Sequence, residues 1–139
     1  MDEIGPAQVR LRDASSLPEL LAVSLGAFEA IRVLARYSED SSPGLFAAFM
    51  MTADTAVDGR EALTIAPSLP PSSLGAPSAG PPAAGTGIEG VTDALAALGA
   101  LLDERLTAAA GRAPTPGDRA ACHQAAGAAR RIHQLMAGG

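Results

Sequence analysis

Apolar residues recur at spacings of three, four and seven along four separate stretches of the chain. These stretches cover about 17–37, 43–62, 88–110 and 116–136. Such spacing places the apolar side chains on one face of an α-helix, whereas a half-buried strand would show strict alternation. The pattern therefore predicts four main helices and an all-α fold.

Capping signals at the start of each stretch support this assignment. A serine or threonine before a helix accepts a hydrogen bond from a backbone N–H of the first turn, and an acidic residue three positions later completes the cap. Proline suits the first helical position because its missing N–H would have no partner there. The signals are the pairs Ser16/Glu19, Ser42/Pro43, Thr86/Glu89 and Thr115/Asp118.

An uncharged segment rich in proline, serine and glycine, 67–87, divides the helices into two pairs. Its composition supports neither a helix nor a strand and predicts a flexible linker. Within each pair the connecting turn is short, so the two helices are expected to be antiparallel neighbours. The predicted plan is one helical hairpin in 16–66 and a second in 88–139. Together they would form a four-helix-bundle-like domain, either within one chain or by pairing between two chains.

The first segment, 1–15, gives two conflicting signals. Val9 and Leu11 alternate with arginines as in a short strand, whereas Pro6 suits the first turn of a helix. Both interpretations stay open at this point, and the segment is treated as an N-terminal arm.

Charge and composition narrow the classes of partner and compartment. The net charge is −5, the sequence pI is about 4.8 and all ten basic residues are arginine. An acidic chain without a basic face is not expected to bind nucleic acid or an anionic membrane. No apolar run is long enough to span a bilayer, and 1–15 lacks the apolar core of a secretory signal. We therefore expect a cytoplasmic protein, and the abundance of alanine and arginine indicates a bacterial, high-GC origin.

Two features resemble cofactor or metal motifs but have a simpler structural explanation. Residues 85–90 match G-x-G-x-x-G, yet a proline-rich segment precedes them where a dinucleotide fold requires a strand. Cys122 and His133 lie eleven positions apart on one predicted helix, about 16 Å along its axis, too far for one metal ion. His123 stands next to Cys122, and no Glu-x-x-His pair occurs. The sequence predicts no cofactor, no metal site and no enzymatic activity.

An acidic stripe runs along the second predicted helix. Asp54, Asp58 and Glu61 stand at spacings of four and three, which places them on one side of that helix. A solvated helix face is the simplest explanation for such charges. The alternative is docking against arginines, either those of a partner or those of the last predicted helix. The last helix offers Arg119, Arg130 and Arg131.

For function, the sequence predicts a non-enzymatic interaction module that associates with itself or with another protein through apolar helix faces. The broad apolar face of 17–37 supports this hypothesis, because a helix this apolar normally contacts more than one neighbour. The alternative is a sensor or carrier that holds a small apolar ligand between the hairpins, where small side chains would leave room. The predicted interface residues are Leu21, Phe28, Ile31, Phe49, Met50, Asp54, Asp58, Arg130 and Arg131.

Overall fold

The computed structural model describes residues 4–75 and 88–138, and the described residues contain five α-helices and no strand. This confirms the all-α prediction. Short 3₁₀ turns at Pro43–Leu45 and Pro71–Gly75 follow α2 and α3. The helices are α1 (Ile4–Asp13), α2 (Leu17–Ser38), α3 (Phe46–Thr64), α4 (Ile88–Gly111) and α5 (Pro116–Ala137).

The N-terminal arm is the main departure from the four-helix plan, because it forms α1. Ile4, Ala7 and Leu11 recur at spacings of three and four, and all three are buried against α2 and α4. A strand would have needed an exposed sheet edge to pair with, and the described residues offer none. The helical interpretation of Pro6 is therefore the correct one.

The helices contact one another in the order α1, α2, α3, α5, α4 and back to α1, and α2 also contacts α4. The two predicted hairpins, α2–α3 and α4–α5, thus pack together within one chain, joined mainly through α3 and α5. Glycines allow two close approaches. A Cβ at Gly59 of α3 would lie 2.4 Å from the ring of Phe28 in α2. A Cβ at Gly99 of α4 would lie 2.9 Å from the carbonyl oxygen of Ala129 in α5.

Two of the predicted helix caps are present as expected. The Ser16 hydroxyl accepts a hydrogen bond from the Glu19 backbone N–H at 3.3 Å, and the Thr115 hydroxyl accepts one from the Asp118 N–H at 3.1 Å. Ser42 makes no side-chain cap and leads instead into the 3₁₀ turn, so α3 begins at Phe46. Thr86, the capping residue of the fourth predicted pair, lies outside the described residues.

The predicted linker, 67–87, differs from its expected form in the part that the structure describes. Leu69 is buried, and Ser68 donates hydrogen bonds from both its N–H and its hydroxyl to the Asp118 carboxylate. The first residues after α3 therefore pack on the beginning of α5. Residues 76–87 lie outside the described part of the chain. Within the described part, none of the helices combines the length and hydropathy that crossing a bilayer requires.

Candidate interaction surface on α3

The outer side of α3 carries the most distinctive exposed surface of the described residues. Because α3 lies between α2 and α5, its two flanks are buried by those helices. The side that stays open has an apolar half near the start of the helix and an acidic half further along it. We call it the α3 face, and its residues are Phe46, Met50, Met51, Asp54, Asp58 and Glu61.

The apolar half consists of long or large side chains that one chain leaves partly uncovered. Phe46 is 40% exposed, Met50 is 37% exposed and Met51 is 38% exposed. Phe46 and Met50 stand one turn apart, so they are neighbours on the helix surface. Methionine adapts its shape to different partners, and grouped exposed apolar side chains mark interaction sites more often than isolated ones do.

The acidic half is nearly free of compensating charge. The Asp54 carboxylate lies 4.0 Å from the Arg36 guanidinium, and this exposed pair contributes little. Asp58 and Glu61 form no ion pair with any described residue. The one arginine of α3, Arg60, lies 3.7 Å from the Glu29 carboxylate of α2 and so points away from the acidic half.

The arginines of α5 do not dock against the acidic stripe. Arg130 forms two hydrogen bonds to the Asp103 carboxylate of α4, at 3.1 and 3.2 Å, and Arg131 is exposed. Within one chain, the intramolecular form of the predicted docking is therefore wrong, because Arg130 pairs with Asp103 and neither Arg119 nor Arg131 forms an ion pair with a described acid of α3. The stripe stays open to solvent.

Four of the predicted interface residues lie in the core of a single chain. Leu21, Phe28 and Ile31 of α2 and Phe49 of α3 have no exposed surface, since α2 packs on α1, α3 and α4, and α3 packs on α2 and α5. An interface that used these side chains would require α2 or α3 to leave the bundle. The other predicted interface residues, Met50, Asp54, Asp58, Arg130 and Arg131, are all exposed.

Other exposed large apolar residues do not extend the α3 face. Val9 lies on α1, Tyr37 lies near the end of α2 and Ile65 follows the end of α3. Each belongs to a different element, and single exposed apolar side chains are normal on protein surfaces.

The candidate metal and thiol residues lie in different surroundings. Cys122 is fully buried, and burial together with the negative charge of Asp118 raises the pKa of its thiol, which disfavours the reactive thiolate. His133 Nδ1 lies 3.0 Å from the carbonyl oxygen of Ala96, and His123 is exposed. No group of three metal-ligating side chains occurs among the described residues.

The structure also reveals a buried carboxylate whose tertiary partner the sequence did not indicate. Asp118 accepts hydrogen bonds from the Ser68 hydroxyl at 2.7 Å, the Ser68 N–H at 2.9 Å and the Thr115 hydroxyl at 3.0 Å. Burial raises the pKa of Asp118, but the three hydrogen bonds outweigh burial and leave that pKa below its ordinary value. The cap at Thr115 was predictable, whereas Ser68 lies fifty positions away and carries no local signal.

Comparison with known proteins adds no further constraint. No protein-family model, no curated protein and no solved structure matches this chain. The proposed function therefore rests on the exposed residues of the chain itself.

Proposed function

We propose that this protein is a non-enzymatic interaction module whose α3 face binds a basic amphipathic helix of a partner protein. The observation that carries the proposal is the division of that face into an exposed apolar half and an acidic half in which Asp58 and Glu61 pair with no described arginine and Asp54 has only the exposed Arg36 at 4.0 Å. A helix that offers apolar side chains and then arginines or lysines along one side would match both halves.

The geometry fixes the spacing that the partner needs. Met50 and Asp58 are eight residues apart, which corresponds to about 12 Å along the helix axis. A partner helix lying along α3 would therefore place its basic residues about two turns from its apolar ones. Charge complementarity of this kind raises the association rate and sets the register of the complex, and it makes binding sensitive to salt.

A second copy of this chain is a poorer match for the same face. Parallel pairing of two α3 helices would bring the two acidic halves together. Antiparallel pairing would place the acidic half of each helix against the apolar half of the other, which leaves carboxylates against uncharged surface. A different protein with a basic helix satisfies both halves, so we favour association with such a partner.

The contacts of α3 with α5 and of α2 with α4 argue against the alternative of an apolar ligand between the hairpins, because these helices of the two hairpins pack directly on each other.

Fluorescence anisotropy with designed peptides tests the proposal on the full-length protein. The probe is a labelled amphipathic helical peptide with leucines over two turns followed by arginines over the next two. Its twin has glutamates in place of the arginines. We expect the basic peptide to bind and the acidic twin to fail, with affinity for the basic peptide falling as salt increases.

Matched variants separate the α3 face from general charge attraction. D58N/E61Q removes two carboxylates from the face, and D93N/E104Q removes two exposed carboxylates from α4. The first variant should weaken binding about tenfold, since each exposed charge pair is worth up to about 1 kcal/mol. The second should bind as the wild type does. Equal losses in both variants, or equal binding of both peptides, would rule out recognition by this face.

A further inference from the structure

A cavity of about 380 Å³ lies on the other side of the bundle, where the turn between α1 and α2 meets the second half of α4. Ser15 and Ser16 line it from the turn and Leu17 from the start of α2, while Arg105 lines it from α4 and Arg112 from the turn after α4. Ser16 and Arg112 are exposed, so the cavity opens to solvent. Its volume is at the small end of the range for ligand-binding pockets.

The two arginines give the cavity a positive charge that no acid of the described residues neutralises. Arg105 lies in α4, and Arg112 is the first residue after α4, seven positions further along the chain. Neither arginine forms an ion pair with a described carboxylate, and no aspartate or glutamate lines the cavity. Two unneutralised guanidinium groups in one cavity favour an anionic ligand.

Arg105 is also held in place and left with an unused donor. Its Nη2 donates a hydrogen bond to the carbonyl oxygen of Ala14, which fixes the side chain across the end of α1. Its Nε is buried and has no acceptor.

The start of α2 adds backbone donors to the cavity, although Glu19 in its first turn offsets part of the helix dipole. The Ser16 hydroxyl caps the Glu19 N–H, while the backbone N–H groups of Ser16 and Leu17 donate no hydrogen bond within the described part of the chain. Free N–H groups and the helix dipole both favour an anion at this end of a helix. Leu20 of α2 and Ala109, which stands between the two arginines in the sequence, give the cavity an apolar wall.

We propose that this cavity binds a phosphate group that carries a small apolar substituent. Arg105 and Arg112 donate to the phosphate oxygens from one side, and the first turn of α2 donates from the other. The apolar wall takes the substituent. Phosphate suits the site because it offers several acceptor oxygens at once, which matches donors that converge from two helices. This proposal is independent of the function proposed for the α3 face.

Titration of the ¹⁵N-labelled full-length protein, followed by NMR, tests the proposal. The probes are phenyl phosphate and inorganic phosphate, with sodium chloride added to a reference sample at matched ionic strength. We expect saturable shifts of the Ser16 and Leu17 amides and of the Arg105 Nε–H with phenyl phosphate. A lower affinity for inorganic phosphate than for phenyl phosphate would indicate that the apolar wall contacts the phenyl group. Equal affinity for both would support the phosphate site and assign it to free phosphate.

Arg112 provides the decisive variant because it is exposed and makes no side-chain hydrogen bond with the described residues. R112Q should weaken phenyl phosphate binding about tenfold, the usual effect of losing one hydrogen bond to a charged group. R131Q removes an exposed arginine from α5 and should leave the affinity unchanged. Unchanged binding in R112Q, an equal loss in R131Q, or shifts that follow ionic strength alone would overturn the proposal.

Discussion

Substitution of Gly59 by alanine tests how α2 and α3 pack. A Cβ at Gly59 would lie 2.4, 2.6 and 2.8 Å from three ring atoms of Phe28. Two carbon atoms pack favourably at about 3.5–4.0 Å. The ring would therefore have to move by about 1 Å, and Phe28 is fully buried, so it has no free space to enter.

Two opposing effects determine the stability of G59A. Forcing an extra methyl group into a packed core costs about 1–3 kcal/mol, and contacts this short belong at the upper end of that range. Alanine in place of glycine inside a helix stabilises by about 1 kcal/mol. The difference is a loss of about 2 kcal/mol in the free energy of unfolding. For a chain of this size, the melting temperature would fall by about 4–8 °C.

Urea denaturation followed by circular dichroism measures this loss, with G127A as the matched control. Gly127 is an exposed residue of α5, and a Cβ there would meet no atom within 4 Å. G127A should therefore be as stable as the wild type or up to about 1 kcal/mol more stable. The two variants make the same chemical change and are expected to have opposite effects.

A double mutant identifies Phe28 as the origin of the effect. F28L shortens the side chain that faces Gly59, so the cost of G59A should be smaller in the F28L background. We expect a coupling energy of about 1 kcal/mol or more, within the range found for residues in contact. If G59A were as stable as G127A, or if its cost were unchanged by F28L, the packing of α2 on α3 described above would be wrong.

Three further predictions concern acid stability, α1 and a helix cap. Because the pKa of Asp118 is lower in the folded chain than in the unfolded chain, its stabilising contribution is complete above the unfolded pKa and is lost as the pH falls through the folded one. The unfolding free energy of D118N should thus depend less on pH between about 5 and 2 than that of the wild type, and equal slopes in urea titrations would contradict this. L11A should lower the free energy of unfolding by about 2–5 kcal/mol because Leu11 is fully buried, whereas V9A should leave it nearly unchanged. Similar losses in both variants would show that α1 does not pack against α2 and α4. S16A should lose about 1 kcal/mol of unfolding free energy and therefore melt at a lower temperature than the control S15A. Equal melting temperatures of the two variants would refute the cap.

Helix positions were predictable where periodicity and capping agree. The pair Ser16/Glu19 marked the start of α2, and Thr115 marked the start of α5, because both signals are contained within a few residues. The segment that became α1 was ambiguous because it is short and carries two arginines among its apolar residues. Its helical form depends on burial of Leu11 between α2 and α4, which no local pattern records.

The candidate sites were predictable only in part, for a related physical reason. Met50, Asp54 and Asp58 lie on one helix, so their shared face followed from spacing alone. The sequence could not distinguish a core role of Phe28 from an interface role, because an apolar helix face has the same pattern whether it packs on its own chain or on another. The cavity joins Ser16 to Arg105, residues 89 positions apart. Only the docking of α1 and α2 against α4 brings them together.

The two proposed sites should act independently, and the arrangement of the helices gives the reason. The α3 face lies on a helix whose neighbours are α2 and α5, whereas the cavity is formed by the α1–α2 turn and α4. The cavity includes the first residues of α2, whereas the α3 face includes no residue of that helix and only has α2 as a neighbour. A bound phosphate also stabilises the contacts that form its site. One of these contacts is the hydrogen bond from Arg105 to the end of α1. A phosphate ligand should therefore strengthen the docking of α1 without changing the affinity of the α3 face for a basic helix. D58N/E61Q should bind phenyl phosphate as tightly as the wild type, and R112Q should bind the basic peptide as tightly. A loss in either cross-test would mean that the two surfaces are coupled through α2.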